Sequence, residues 1–270
     1  MLESSDINLI QKELPMKKIA TPLMLALSLA FAGNAFAQAA PAAPESTLSF
    51  NVGAVSDYRY RGISQSRLDT ALQGGADYAH KSGAYIGVWG SSIKWIKDTK
   101  VGANSGKADT ELDIYGGYKF TVGDVGYDVG FLRYEYSGND LQKVAGYANA
   151  NTNELYGAVT LGVVTAKYSR STGNLFGNVG SKGSTYLDLT ATFDLGDGYT
   201  LAPHIGRQDV KGGSFYSYTD YALTLGKDLG NGLTASGALI GTDAKKGAYV
   251  SPAGKQLGKA GFVVGIKYTF

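Results

Sequence analysis

The 270-residue chain has no cysteine, six prolines and two histidines. Without cysteine it has no disulfide framework, no thiol nucleophile and no thiolate metal site. A serine hydrolase needs a histidine base beside its nucleophile, and only His80 and His204 are available. His80 borders a turn, and His204 lies in a strand with its side chain turned inward, the wrong wall for an enzyme acting on bilayer lipids. Metal-ligand spacings and phosphate-binding loops are also missing, so no cofactor and no catalysis are expected. After residue 37 no apolar run is long enough for a spanning helix. With a net charge of +2 there is no basic tract to suggest a nucleic-acid partner.

What the chain does have is 38 glycines and 19 tyrosines, a balance poor for helices and suited to strands, tight turns and interfacial aromatics. The last ten residues show the governing pattern. Phe262, Val264, Ile266, Tyr268 and Phe270 alternate with Gly261, Val263, Gly265, Lys267 and Thr269. This period of two makes a strand with one greasy and one mostly small or polar face. An edge strand of a soluble sandwich would alternate too, but a lipid-facing strand with an aromatic girdle at its end fits better. A final strand ending in Phe, with apolar residues at every second place, also resembles the assembly signal of bacterial outer-membrane proteins.

The same alternation recurs along the chain. Candidate strands fall at 47–54, 71–80, 84–91, 109–120, 125–136, 153–161, 163–169, 184–195, 199–206, 218–227, 233–241 and 261–270. The apolar phase slips at Phe131-Leu132, which predicts a bulge or the strand leaving the bilayer. Connections alternate between short turns and long loops, the latter near 55–70, 92–108, 137–152, 170–183, 207–217 and 242–260. Antiparallel strands place alternate connections on opposite sides of a membrane. The expectation is therefore an all-β, transmembrane antiparallel up-and-down barrel of about 12 strands, with short periplasmic turns and long extracellular loops. Closure leaves no unpaired edge in lipid.

Ahead of the barrel, residues 16–37 read as a secretory signal peptide: Lys17-Lys18, an apolar run, then Ala35-Phe36-Ala37 before a cleavage site. Residues 1–15 read as an over-extended start, with Met16 the natural one. Residues 38–46 form an N-terminal periplasmic tail and 47–270 the barrel in the bacterial outer membrane. Its expected surroundings are outer-membrane lipid, lipopolysaccharide and the barrel-assembly machinery, with a homo-oligomer as a further possibility.

Charge divides with the topology. The six long loops hold 16 basic and six acidic residues, whereas the strands are net acidic. Such loops suit either contact with lipopolysaccharide phosphates or a positive mouth that draws in anionic solutes. Alternation turns Asp77, Glu111, Asp113, Asp128, Asp188 and Asp220 into the lumen, with Glu154 in the same phase. Lys119, Lys167, Lys267 and His204 join them as candidate pore-lining residues. Some of these acids are expected to pair with the bases across the barrel and narrow it.

Directly after the first strand comes Ser56-Asp57-Tyr58-Arg59-Tyr60-Arg61-Gly62-Ile63-Ser64-Gln65-Ser66, followed by Gln73-Gly74-Gly75-Ala76-Asp77-Tyr78. This hairpin resembles that of the TorF-type family of porin candidates, also called Gcw_chp proteins, and the resemblance runs on to Phe270. The family has no settled solute, so the resemblance implies the barrel more than a mechanism. In period-two phase Tyr58 and Tyr60 share one face, read as girdle, and Arg59 and Arg61 the other. The arginines either anchor the loop to lumen carboxylates or line the constriction and contact anionic solute. Taken together, the sequence points to a passive channel for small hydrophilic solutes. The alternatives are a structural or adhesive barrel with an occluded lumen, and a lipid-acting barrel enzyme.

Overall fold

The computed structural model describes residues 44–101 and 104–270. The expected leader, cleavage site and start residue, and most of the expected N-terminal tail, lie outside the described residues. Twelve antiparallel strands form one closed sheet. They are β1 Ser46–Val55, β2 Ala71–His80, β3 Ala84–Ser92, β4 Thr110–Val122, β5 Val125–Glu135 and β6 Thr152–Leu161. The second half comprises β7 Val164–Ser171, β8 Thr185–Ala191 continued by Phe193–Gly196, β9 Tyr199–Asp209, β10 Tyr218–Gly230, β11 Leu233–Thr242 and β12 Gly261–Thr269. Each strand pairs with its neighbours in the chain. β12 returns to β1 with Asn51 opposite Thr269 and Val55 opposite Gly265.

Alternation explains the wall. In β1, Leu48, Phe50 and Val52 are exposed while the residues between them turn inward; in β12, Phe262, Val264, Ile266, Tyr268 and Phe270 are exposed while Val263 is buried. This inside-out pattern would be costly in water and is the natural one in lipid. The turn end is built for tightness: β10 and β11 are joined by Asn231-Gly232 at φ +51° and +81°. Positive φ at both central residues is the type I′ geometry whose twist matches the flanking strands.

The strand bearing Phe131-Leu132 excludes one of the two readings of the phase slip, the bulge. Its pairing with β4 runs unbroken from Leu112↔Glu135 to Val122↔Val125, so no bulge exists there. Leu132 instead points inward, 4% exposed, and packs in a core with Tyr115, Tyr134, Tyr136 and Tyr156. Ile93, Ile96, Leu141 and Val144 from the second and third long loops join that core. The apolar interior thus sits at the loop end, inside the barrel, where the sequence pattern alone implies a wet lumen.

Candidate functional site: a lumen divided by the first loop

The 55–70 loop folds into the barrel. Tyr58, Arg59 and Arg61 are all buried, at 1%, 7% and 9% exposure, so the reading of Tyr58 and Tyr60 as girdle is wrong. Period-two phase ends at Val55, and the chain then doubles back through a two-residue hairpin, Arg59–Tyr60 with Ile63–Ser64. Its turn is Arg61-Gly62, at φ +46° and +78°. Glycine is required at the second position: a Cβ there would lie 2.5 Å from the Thr242 methyl and 2.8 Å from Asp220 Cβ. The loop tip is pressed against β10 and β11.

Around the tip the contacts reach most of the wall. Tyr58 donates its hydroxyl to Glu111 on β4 at 2.6 Å. Tyr60 shares a hydroxyl contact with Tyr134 on β5. Arg61 donates to Glu154 on β6 at 2.7 Å and to Gln208 on β9 at 2.6 Å, with its guanidinium 4.1 Å above the Tyr186 ring. The two arginines differ in role. Arg59 binds Asp57 at 2.7 Å and the Gly62 carbonyl within the loop, and the Lys259 carbonyl at 2.7 Å in the sixth long loop, which makes it a brace between backbone segments. Arg61 alone reaches across to wall side chains.

Tyrosine hydroxyls satisfy several of the lumen acids. Tyr115 donates to Asp77, Tyr85 to Asp128 at 2.6 Å, and Tyr186 to Asp220 at 3.0 Å. Acid–base contacts inside the barrel include Arg61–Glu154 and His204 with Asp188 and Asp220, and the tyrosines add to them. Each of these tyrosines reaches its acceptor across one intervening strand, at no cost in buried positive charge. Lys119 lies opposite Asp128 in register and 4.7 Å over the Tyr85 ring. Lys167 lies opposite Asp188 and 4.0 Å over Tyr156. Lys267 is on the inner face of β12 opposite Gly53. His204 is held between two carboxylates, with Nε2 2.8 Å from Asp220 and Nδ1 3.3 Å from Asp188. Asp113 differs from all of these: it is fully buried, and among the described residues neither carboxyl oxygen has a hydrogen-bond partner.

The loop leaves two chambers. On the turn side is a cavity of about 120 Å³ that is rich in charge, with Arg61, Glu154, Lys167, Asp188, His204 and Asp220 in its wall. On the loop side is a vestibule of about 380 Å³ walled by aromatic rings and amides. Tyr60 belongs to both walls. Sequence reasoning missed Tyr85, Tyr115, Tyr134, Tyr156, Tyr186 and Gln208 as interior polar groups. The signal existed, since Tyr115 shares the phase of Glu111 and Asp113, and Tyr186 that of Asp188.

Comparison with known proteins agrees with the architecture. Residues 38–270 match the model of the family described as "Bacterial protein of unknown function (Gcw_chp)". Among solved structures, the chain is similar to the KdgM porin in complex with disordered oligogalacturonate, at TM-score 0.51 and 9% identity over 83% of this chain and 99% of that one. It is likewise similar to the NanC porin, at TM-score 0.50 and 11% identity over 82% and 99%. At such identities the likeness is one of fold: a closed 12-stranded antiparallel barrel of the outer-membrane porin type. No curated protein matches the chain.

Proposed function

The chain belongs to the Gcw_chp family, whose description assigns no function, and from that premise we propose that it is a passive, porin-like channel for small hydrophilic solutes in the bacterial outer membrane. The short turns face the periplasm and the long basic loops the exterior, after export by the N-terminal leader. The observation that carries this reading is the charged chamber on the turn side of the loop, inside a closed barrel whose outer face is apolar. Charge inside a membrane protein is expensive, is held by pairing or by a water-filled cavity, and marks pathways for polar solutes. The fold shared with the KdgM and NanC porins adds support, as does the first hairpin's resemblance to the TorF-type family. In this reading Arg61, Glu154, Lys167, Asp188, His204 and Asp220 line the narrow part of the path. The basic loops meet lipopolysaccharide or concentrate anions at the mouth. No residue is assigned a catalytic role.

One observation favours a second reading, an occluded structural barrel: the tip of the first loop is tied to β4, β5, β6 and β9 together. Single-channel current across a planar bilayer, using the refolded mature protein under a salt gradient, separates the two. Discrete, steady steps with a defined ion preference are expected for a channel. Silence from demonstrably folded protein establishes the occluded barrel instead.

A further inference from the structure

The two chambers differ in chemistry. The turn-side cavity is dominated by ionisable groups, whereas among the described residues the larger vestibule has only Asp98 and Lys100 as charged lining. Asp98 is already neutralised by an ion pair with Arg67. In place of charge the vestibule has aromatic rings from loops on both arcs of the barrel. On one arc Trp95 stands edge-on to Tyr136 at 5.4 Å, and Phe176 edge-on to Tyr60 at 5.6 Å. On the other, Tyr249 meets Tyr216 at 5.8 Å and Tyr218 at 5.3 Å. These contacts hold the rings in place before any ligand arrives, and the Tyr249 hydroxyl is tied further to the Tyr216 carbonyl at 2.7 Å. Amides and hydroxyls lie between the rings, among them Gln208, Asn178 and Thr99.

Such a wall selects for a particular kind of solute. Rings offer flat apolar faces, amides and hydroxyls offer hydrogen bonds in either direction, and little net charge is present to draw an ion. A saccharide ring matches both features, with C–H groups on its faces and hydroxyls around its edge. The volume of 380 Å³ lies within the roughly 300–1,000 Å³ usual for small-molecule pockets. An anionic sugar would find a single cation in this wall, Lys100, against the rings, amides and hydroxyls that make up most of the rest. A quaternary ammonium ion would be drawn by ring faces, but Lys100 in the same wall repels it and Asp98 is engaged by Arg67.

We infer that the vestibule is a binding site for neutral saccharides, which gather there before passing the first loop. The inference deepens the channel reading and rests on it for the direction of transfer, but binding can be measured separately from current. The experiment is calorimetric titration of the refolded mature barrel with maltotriose, with trigalacturonate and choline titrated in parallel. Saturable binding of maltotriose, with weaker or no binding of the other two, is expected. Tyr216→Ala and Tyr249→Ala each weaken it roughly three- to tenfold through loss of a stacking face. Tyr216→Phe retains it, and circular dichroism verifies the barrel in each variant. Preference for trigalacturonate or choline overturns the assignment, as does failure of folded barrel to bind maltotriose. Binding without current sinks the channel reading and leaves the site intact. Current without binding does the reverse.

Discussion

The Arg61 guanidinium meets the Glu154 carboxylate at 2.7 Å, with the two side chains only 6% and 3% exposed. This pair ties the tip of a loop to the barrel wall through the lumen. Removing one partner of a buried pair strands the other and costs about 3–5 kcal/mol. Glu154→Gln is therefore expected to free the tip, and trypsin should cut after Arg59, Arg61 or Arg67 faster than in the parent protein. Joint replacement by Arg61→Met and Glu154→Met should recover part of the protection, since no charge is left stranded. Unchanged cleavage in Glu154→Gln would show that Tyr58 and Gln208 hold the tip without the ion pair.

If the tip also forms the constriction, the two arginines have unequal effects on current. Arg61→Ala removes the guanidinium that crosses the lumen and should change conductance and ion preference directly. Arg59→Ala removes a brace within the first loop and between it and the sixth and should act by loosening the first loop, giving noisy, fluctuating current with little change in mean ion preference. Equal effects on both quantities would sink this division of roles.

Gly62 supplies an independent test of the same tip. Its φ of +78° is left-handed, and a Cβ would meet Thr242 and Asp220 at under 3 Å. Gly62→Ala thus incurs both backbone strain and a clash, of the order of 1–3 kcal/mol for the strained backbone alone. The expected result is exposure of the first loop to protease while the barrel's strand signal in circular dichroism is retained. Gly157→Ala is the matched control, because its Cβ would meet nothing within 4 Å and its φ is not positive. Comparable sensitivity in both variants would mean that the tip is not pressed against β10 and β11.

Strand number, order and the outward face were legible in the sequence because the lipid imposes one rule on every strand. Leu48, Ile86, Leu189 and Ile266 all obey it, and all are exposed on the barrel's outside. The inner face obeys no such rule. Leu132 sits there because loops 92–108 and 137–152 bring Ile93, Ile96, Leu141 and Val144 to cover it, and that packing partner is invisible to local periodicity. The fate of the 55–70 loop was equally hidden. Its inward turn depends on Arg61 finding Glu154, 93 residues away, and Gln208, 147 residues away. Tyrosine was ambiguous for a chemical reason: it serves lipid interfaces and buried carboxylates alike, so Tyr118 and Tyr115, three apart, face opposite ways.

Asp113 and Glu111 share the inner face of β4, yet substitution should affect them in opposite directions. Glu111 accepts the Tyr58 hydroxyl at 2.6 Å, so Glu111→Leu leaves a buried donor without its partner and should destabilise by about 1–3 kcal/mol. Asp113 has no hydrogen-bond partner among the described residues. Replacing it by Leu removes an uncompensated polar group from a site beside Trp89 and Tyr134 in register, and should leave stability unchanged or raise it. Urea unfolding in detergent micelles measures both. A loss in Asp113→Leu as large as in Glu111→Leu would mean that Asp113 engages a bound proton or ion important to the fold.

The terminal residue closes the ring in a way that separates two roles for it. Phe270 exchanges backbone hydrogen bonds with Phe50 at 2.8 and 2.9 Å, and its ring stacks on Phe50 at 5.8 Å and on Tyr268 at 5.5 Å. It therefore seals the seam between the first and last strands at the turn end. Loss of the ring in Phe270→Ala removes stacking of about 0.5–1.5 kcal/mol but keeps the backbone pair and the register from Asn51↔Thr269 to Val55↔Gly265. Purified Phe270→Ala should thus fold into lipid vesicles almost as well as the parent. If the alternating end is also read by the assembly machinery, the amount reaching the outer membrane in cells should fall far more than the folding yield in vesicles. Parallel losses in the two measurements would assign Phe270 to the seam alone. Ile266→Arg is the contrasting variant: it places a charge on the lipid face, where about 2–4 kcal/mol is lost at the bilayer midplane, and should depress folding in vesicles and in cells alike.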